Sequence, residues 1–179
     1  MMIRVEKTHA LVRRAAADDV SALIAASWTT NVAKTHTDRF AMQARDEAIY
    51  LVSLVDDTIA GHLLLKWDGP DGDTLRRQIA PCAEIEDLRV VEALRSRGIG
   101  SAMIGEAARL TAARGQPRLG LAVGLDNDRA RALYERFGFV RVDIPDFDVR
   151  WPYHTPTGEL AWGSERCMYV IKPVGKDAA

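Results

Sequence analysis

Apolar residues along the chain switch between two spacings, every second position and every third or fourth, and the switches mark out alternating strands and helices. "HALVRRA" (9–15) reads as a first strand. Asp18 or Asp19 is placed to cap a helix running to about Trp28, with Leu23, Ile24 and Ser27 to Trp28 at helical spacing. After the weakly patterned connection "TTNVAKTHT", residues 38–48 predict a second short helix. "IYLVSLV" and "TIAGHLLLKW" flank Asp56-Asp57 and predict a β-hairpin. A Gly/Pro/Asp-rich loop (68–81) leads into a fourth strand, "CAEIEDLRVV". The helix that starts near Gly98 keeps Ile99, Met103, Ala107 and Leu110 on one face and stops at Gly115. "PRLGLAV" is a fifth strand. Asp126 or Asn127 then caps a helix carrying Ala130, Leu133, Tyr134 and Phe137 on one face, which ends at Gly138. "FVRVD" and "RCMYVIK" supply the last two strands. Between them, residues 144–164 are Pro-rich and aromatic and read as a long functional loop.

The pattern therefore predicts an α/β domain with a mixed, mostly antiparallel sheet of about seven strands flanked by helices. The 179 residues, 47% hydrophobic and 27% charged, suit one domain spanning 1–179 with its core at about 11–171. No apolar run is long enough to cross a bilayer, and the first residues lack the apolar stretch of a secretory signal, so a soluble, cytoplasmic protein is expected. Cys82 and Cys167 have no Cys or His partner at metal-ligand spacing; both are expected in strands, and no metal is expected.

A net charge of −1 argues against a general nucleic-acid binder, but it hides an asymmetry. Residues 89–141 hold ten Arg against five acidic residues, whereas residues 143–165 hold five acidic residues against Arg150 alone. An anion belongs over the first region and a cation near the second. The junction "RSRGIG" sharpens this: a glycine-rich turn between strand and helix presents unpaired N–H groups at the positive end of a helix dipole, a geometry that binds phosphate. Gly98 and Gly100 allow close backbone approach, and Arg95 and Arg97 add charge. The spacing fits neither G-x-x-x-x-G-K-[ST] nor G-x-G-x-x-G. Taken alone, the stretch is as consistent with a plain helix start bearing solvated arginines.

Arg95-Ser-Arg-Gly98-Ile-Gly100 matches [Q/R]-x-x-G-x-[G/A] and follows "EIEDLRVV", which resembles the fourth strand of the GNAT superfamily of acyl-CoA-dependent N-acyltransferases. "VGLDNDRARALYERFGFV" resembles that family's next motif, N-x-x-A-x-x-L-Y-x-x-x-G-F, with Asn127, Ala130, Leu133, Tyr134, Gly138 and Phe139 in register. The resemblance covers most of the chain but not 144–164. It implies acetyl-CoA as co-substrate. Backbone N–H groups of Arg95, Ser96, Arg97, Gly98, Ile99, Gly100 and Ser101 would hold the pyrophosphate. The fourth and fifth strands would splay apart to admit the pantetheine arm beside Leu88, Arg89 and Val90, with the Leu88 N–H toward the thioester carbonyl. Asn127 and Ala130 would meet the pantetheine, although Asn127 is equally well explained as a helix cap.

By periodicity Tyr134 is a core residue; the resemblance instead implies a phenol aimed at the thioester sulfur, a general acid. Glu84 and Glu86 alternate onto one face of the fourth strand, on this pattern with Leu88 and Val90, and are alternative general bases. His36 and His154 are weaker alternatives. Asp143, Asp146 and Asp148, with Trp151, Tyr153, His154 and Trp162, predict an acidic, aromatic wall for a cationic amine. The expected activity is direct acetyl transfer to a primary amine. The acceptor is left open between small cationic amines, antibiotics and protein amines, as is pairing of two copies. A regulatory domain that binds acyl-CoA without turnover is the rival reading. No aromatic residue interleaves the arginines from Arg89 to Arg131, so a nucleic-acid platform is not expected.

Overall fold

The strand-forming residues between 48 and 66 pair as a central hairpin, and the rest of the sheet is laid down on either side of it. The computed structural model describes residues 10–26, 28–29, 31–155 and 157–175. In chain order the elements are β1 (Leu11–Arg14), α1 (Ala17–Ala25), α2 (Ala33–Ala44), β2 (Ala48–Val55), β3 (Thr58–Lys66), α3 (Asp73–Gln78), β4 (Ala83–Val90), α4 (Ile99–Ala113), β5 (Arg118–Gly124), α5 (Asp128–Arg136), β6 (Val140–Arg141), β7 (Phe147–His154) and β8 (Leu160–Pro173). The eight-stranded sheet runs β1-β2-β3-β4-β5-β8-β6, and β7 also pairs with β8. The one parallel contact, β4 with β5, lasts only from Ala83↔Leu119 to Glu84↔Gly120, whereas both strands run on past it, so they part there. One face packs Leu63, Leu65 and Ile85 against Ile99 and Met103 of α4; the other packs Tyr50, Val52 and Leu64 against Leu23. No helix among the described residues is long and apolar enough to cross a membrane.

The predicted architecture stands, with local differences. Residues 147–154 and 160–164, expected as loop, form an antiparallel arm whose two strands pair from Phe147↔Cys167 to His154↔Leu160. The alternation of Phe147, Val149, Trp151 and Tyr153 with more polar positions does signal a strand there, and their side of β7 is half-buried while Asp148, Arg150 and His154 are exposed. The prolines and the length of the segment outweigh that signal in the loop reading. The second helix begins at Ala33, and the 68–81 loop contains α3. Ala16, not Asp18 or Asp19, is the N-cap of α1: the Asp19 carboxylate accepts from the Ala16 N–H at 2.6 Å and pairs with Arg13. That helix ends at Ala25, so Trp28 lies beyond it, and Ser27 lies outside the described residues. Cys82 immediately precedes β4 instead of lying within it, while Cys167 is in β8.

One difference bears on the site. His62 pairs with Arg89 and Leu64 with Glu86, so Asp87 and Leu88 stand opposite Leu63 alone: β4 carries a β-bulge. The extra residue reverses the alternation beyond it. Arg89, not Leu88, shares the face of Glu84 and Glu86, and Leu88 and Val90 join Ile85 on the α4 side.

Candidate functional site

Where β4 and β5 separate, a cavity of about 1280 Å³ opens between them. Its lining includes Glu84, Glu86, Leu88, Arg89, Val90, Arg95, Ser96, Arg97, Gly98, Ile99, Gly100, Ser101, Asn127, Ala130 and Tyr134. Two distant sequence motifs thus meet on one hollow, because α4 carries the chain from the end of β4 back to the start of β5, and α5 returns it over the gap.

One end of the hollow is a turn built for an anion. Gly98 is the N-cap of the 15-residue α4 and has φ +89°, a left-handed conformation that a Cβ disfavours; open space lies where that Cβ would project. The first N–H groups of α4 leave the helix there, at its positive end. Arg95, Arg97, Arg129 and Arg136 line the same end. Arg129 donates to the Ser96 hydroxyl at 2.9 Å, and Arg95 to the Val90 carbonyl at 3.2 Å, which fixes the shape of the turn. Asn127 is the N-cap of α5 and accepts from the Ala130 N–H at 3.2 Å, so the capping role is real and occupies its Oδ1. Tyr134 is buried, its ring edge-on to Phe139 at 5.6 Å; burial pushes its phenol up to about 12, so it remains protonated at neutral pH.

The opposite wall is made of carboxylates at different stages of neutralisation. The Lys66 ammonium lies 2.9 Å from Glu86 and 2.5 Å from Asp71, but 4.0 Å from Glu84. Glu84 Oε2 is buried and has no hydrogen-bond partner. Burial, with help from the charge of Glu86, pushes the Glu84 carboxyl up to about 8, although Lys66 works against the rise. Asp87 is the opposite case. Burial raises its pKa, yet Arg39, then His62 and Arg89, outweigh that and hold it below the ordinary carboxylate range. Glu165 comes from β8 and packs where a Cβ on Gly124 would stand, closing the far end of β5.

Of the predicted aromatic and acidic wall, Asp148 and Trp151 line the cavity. Asp146 is instead paired with Arg141 at 2.7 Å, and Trp162 faces outward, 61% exposed, with the Arg150 guanidinium 5.9 Å from its ring. Asp143, Tyr153 and His154 lie off the lining; His154 is exposed and bonds its own turn at the Gly158 carbonyl, 3.1 Å away. His36 is fully buried behind the wall, 2.7 Å from the Tyr50 hydroxyl, and burial lowers its pKa to about 4. Sequence reasoning passed over Lys66, Asp71, Asp87, Arg39, Asn31 and Glu165. Lys66 alone carried a signal, as a charge ending the apolar run "HLLL".

The sheet thus opens over one cavity with a left-handed glycine turn at a helix start on one side and carboxylates on the other, an arrangement with room for two ligands side by side. The chain belongs to the GNAT acetyltransferases: the family model described as "Acetyltransferase (GNAT) family" matches residues 17–139. Among solved structures of similar fold is a phosphinothricin acetyltransferase from Sinorhizobium meliloti in complex with acetyl-CoA. It is 17% identical, with 93% of this chain and 89% of that chain covered and a TM-score of 0.64. The ribosomal-protein-S18-alanine N-acetyltransferase of Escherichia coli is 19% identical over 93% and 94% of the two chains, with a TM-score of 0.61. An N-acetyltransferase from Staphylococcus aureus Mu50 is 14% identical over 92% and 98%, with a TM-score of 0.63.

Proposed function

We propose that this acetyltransferase moves the acetyl group of acetyl-CoA to a primary amine by direct attack, with a small cationic amine as acceptor. The observation that carries the reading is the single cavity that joins the Gly98 turn and Tyr134 to the buried carboxylate of Glu84, whose Oε2 has no hydrogen-bond partner. Backbone N–H groups at 95–101 hold the pyrophosphate, and the arginines at that end take further phosphate charge. Leu88 supplies an N–H toward the thioester carbonyl. Glu84 takes the proton from the acceptor ammonium, directly or through a water; its raised pKa matches it to that task. The amine nitrogen bonds to the carbonyl carbon and gives up its second proton to solvent, the C–S bond breaks, and the departing sulfur takes the phenol proton of Tyr134, which solvent then restores. Glu86 is the poorer base because Lys66 already holds it at 2.9 Å. A cationic acceptor is favoured by Asp148, Glu165 and Trp151 on the far wall.

Acetyl-CoA incubated with a panel of mono-, di- and polyamines tests this through release of free thiol. Turnover well above the water background with a cationic amine is expected, lowered about 10²- to 10⁴-fold by Glu84→Gln. If the protein binds acetyl-CoA and no amine, small or peptide-borne, raises thiol release, it is a binding domain and not a transferase.

A further inference from the structure

Asp87 is the one residue of β4 with positive φ, +49°, in the middle of the bulge. A side chain makes that conformation unfavourable, and Asp is among the residues that adopt it most readily. Its carboxylate is held by two donors from outside the sheet and one from β4 itself. Oδ2 accepts from Asn31 Nδ2 at 2.6 Å and from Arg39 Nη1 at 2.8 Å, and Oδ1 accepts from Arg89 Nη2 at 3.3 Å. Arg39 belongs to α2 and is 89% shielded in its side chain, with 11% exposed. Asn31 lies between α1 and α2 and forms an isolated antiparallel bridge with Tyr153 of β7. Helix α2, the α1–α2 segment and the arm therefore converge on one carboxylate, next to the peptide whose N–H is that of Leu88. The carboxylate is committed to three donors and stays ionised, so it is no proton acceptor for the amine.

We infer that Asp87 is a positioning residue: its clamp by Arg39 and Asn31 fixes the bulge that aims the Leu88 N–H, and through Asn31 it makes docking of the β7–β8 arm and alignment of that donor one event. The inference rests on Leu88 being the donor to the thioester carbonyl, as proposed above. It also explains why a conformation unfavourable for a non-glycine residue sits at the splay: tertiary contacts, not the strand ladder, hold it there.

The test uses acetyl-CoA labelled with ¹³C at the carbonyl, bound to the full chain, together with its slow hydrolysis in the absence of any amine. In the wild type the bound carbonyl resonance moves downfield of free acetyl-CoA. Asp87→Asn keeps size and shape but weakens the pairing with Arg39. It is expected to lose most of that displacement and to slow hydrolysis and amine transfer by the same factor, about tenfold to a hundredfold, with the acetyl-CoA dissociation constant unchanged. Asn31→Ala is expected to do the same to a smaller degree. Asp87→Gly adopts φ +49° without strain, so it keeps the inference testable if the Asn variant unfolds; it too loses the displacement, because the clamp is gone. If the wild type shows no downfield displacement, the Leu88 assignment fails. A wild-type displacement that survives in Asp87→Asn and Asp87→Gly, with hydrolysis unchanged, overturns the inference alone. Slowed amine transfer with unchanged hydrolysis likewise overturns it and makes Asp87 a contact of the acceptor.

Discussion

The two sides of the β4–β5 gap are built from different material. In the proposed reading the recognition groups on the cofactor side are backbone: N–H groups at 95–101, at a left-handed glycine and the start of α4. On the proposed acceptor side they are side chains gathered from α2, the 68–81 segment, β4 and the arm. Backbone recognition requires glycines at fixed spacing and so repeats across a family. Side-chain recognition requires only that unrelated segments meet in space, which lets the same fold accept different amines.

The sharpest way to break this contrast is to put charge where the backbone cradle lies. Gly98→Asp with Gly100→Asp is expected to abolish the rise in Tm that acetyl-CoA gives the wild type, with circular dichroism unchanged. Space permits the change at position 100, where the nearest atom to a Cβ is Leu133 Cδ2 at 3.6 Å. Asp is also tolerated at the left-handed position 98 better than most residues. A Tm shift retained by the folded double variant would remove the pyrophosphate from this turn.

Glu84→Gln tests the other wall by chemistry alone. A fall in kcat of about 10² to 10⁴ is expected, with acetyl-CoA binding intact. The wild-type rate should climb as pH rises through about 8, because burial beside Glu86 keeps the carboxyl protonated below that value and a base must be deprotonated. A wild-type profile that is flat from pH 6 to 9, with chemistry rate-limiting, would take the base role away from this residue.

How much was legible in the sequence follows the same division. The order of strands and helices and both motifs could be read because glycine spacing and apolar periodicity are local signals; the cofactor residues expected from the motifs all line the cavity, where Arg129 and Arg136, which no motif marked, join them. Glu84 was readable as a carboxylate on an apolar strand, but what distinguishes it from Glu86 is Lys66, which reaches Glu86 and leaves Glu84 4.0 Å away, and nothing in the sequence marked that difference. The bulge at Asp87 has no sequence period, and it reversed the faces expected for Leu88 and Val90. The arm had a signal in the alternation of Phe147, Val149, Trp151 and Tyr153, which its prolines obscured, and composition suggested a binding wall of which only Asp148 and Trp151 line the cavity, Trp162 standing in solvent at 61%.

Tyr134→Phe sharpens the cofactor side, where one side chain does matter. The ring, its packing on Phe139 and the helix are kept, and kcat is expected to fall roughly a hundredfold with acetyl-CoA binding unchanged, because a thiolate departs partly unaided. With the phenol pushed up to about 12, no alkaline limb from its ionisation is expected below about pH 11. Turnover within about twofold of the wild type, chemistry being rate-limiting, would make this tyrosine a packing residue.

A side-chain wall needs buried polar support, and the support is sensitive to acid. His62 is fully buried, with neither ring nitrogen partnered, among Trp28, His36 and Tyr50. Burial lowers its pKa to about 3, from an unfolded value of 6.5. A depressed folded-state pKa gives stability that is present above 6.5 and lost as pH falls toward 3. His62→Leu is expected to shrink the stability difference between pH 7.5 and pH 5 by about 2 kcal/mol, read by urea unfolding at the two pH values. Glu84 titrates with the other sign: its raised folded-state pKa gives stability present below 4.5 and lost as pH rises through about 8. An unchanged pH slope in His62→Leu would show that this imidazole is charged or solvated in the folded protein.

The smallest effect separates the part of the arm that faces the cavity from the part that does not. Asp148 and Asp146 are two residues apart, and the same change to Asn removes one charge from each. Asp148 lines the cavity and has Arg166 only as a distant partner, at 3.4 Å with both side chains more than half exposed, so much of its field reaches the hollow. Asp146 is spent on Arg141 at 2.7 Å, off the lining. Screened, exposed charges act weakly, so Asp148→Asn is expected to raise KM for a cationic amine by about threefold to tenfold, more at low salt than at high, with KM for acetyl-CoA unchanged. Asp146→Asn is expected to leave both KM values within twofold. Equal effects of the two substitutions would mean that the arm acts through its net charge and not through the face it turns to the cavity. An effect of Asp148→Asn on acetyl-CoA instead of the amine would move the boundary between the two walls to the near side of β7.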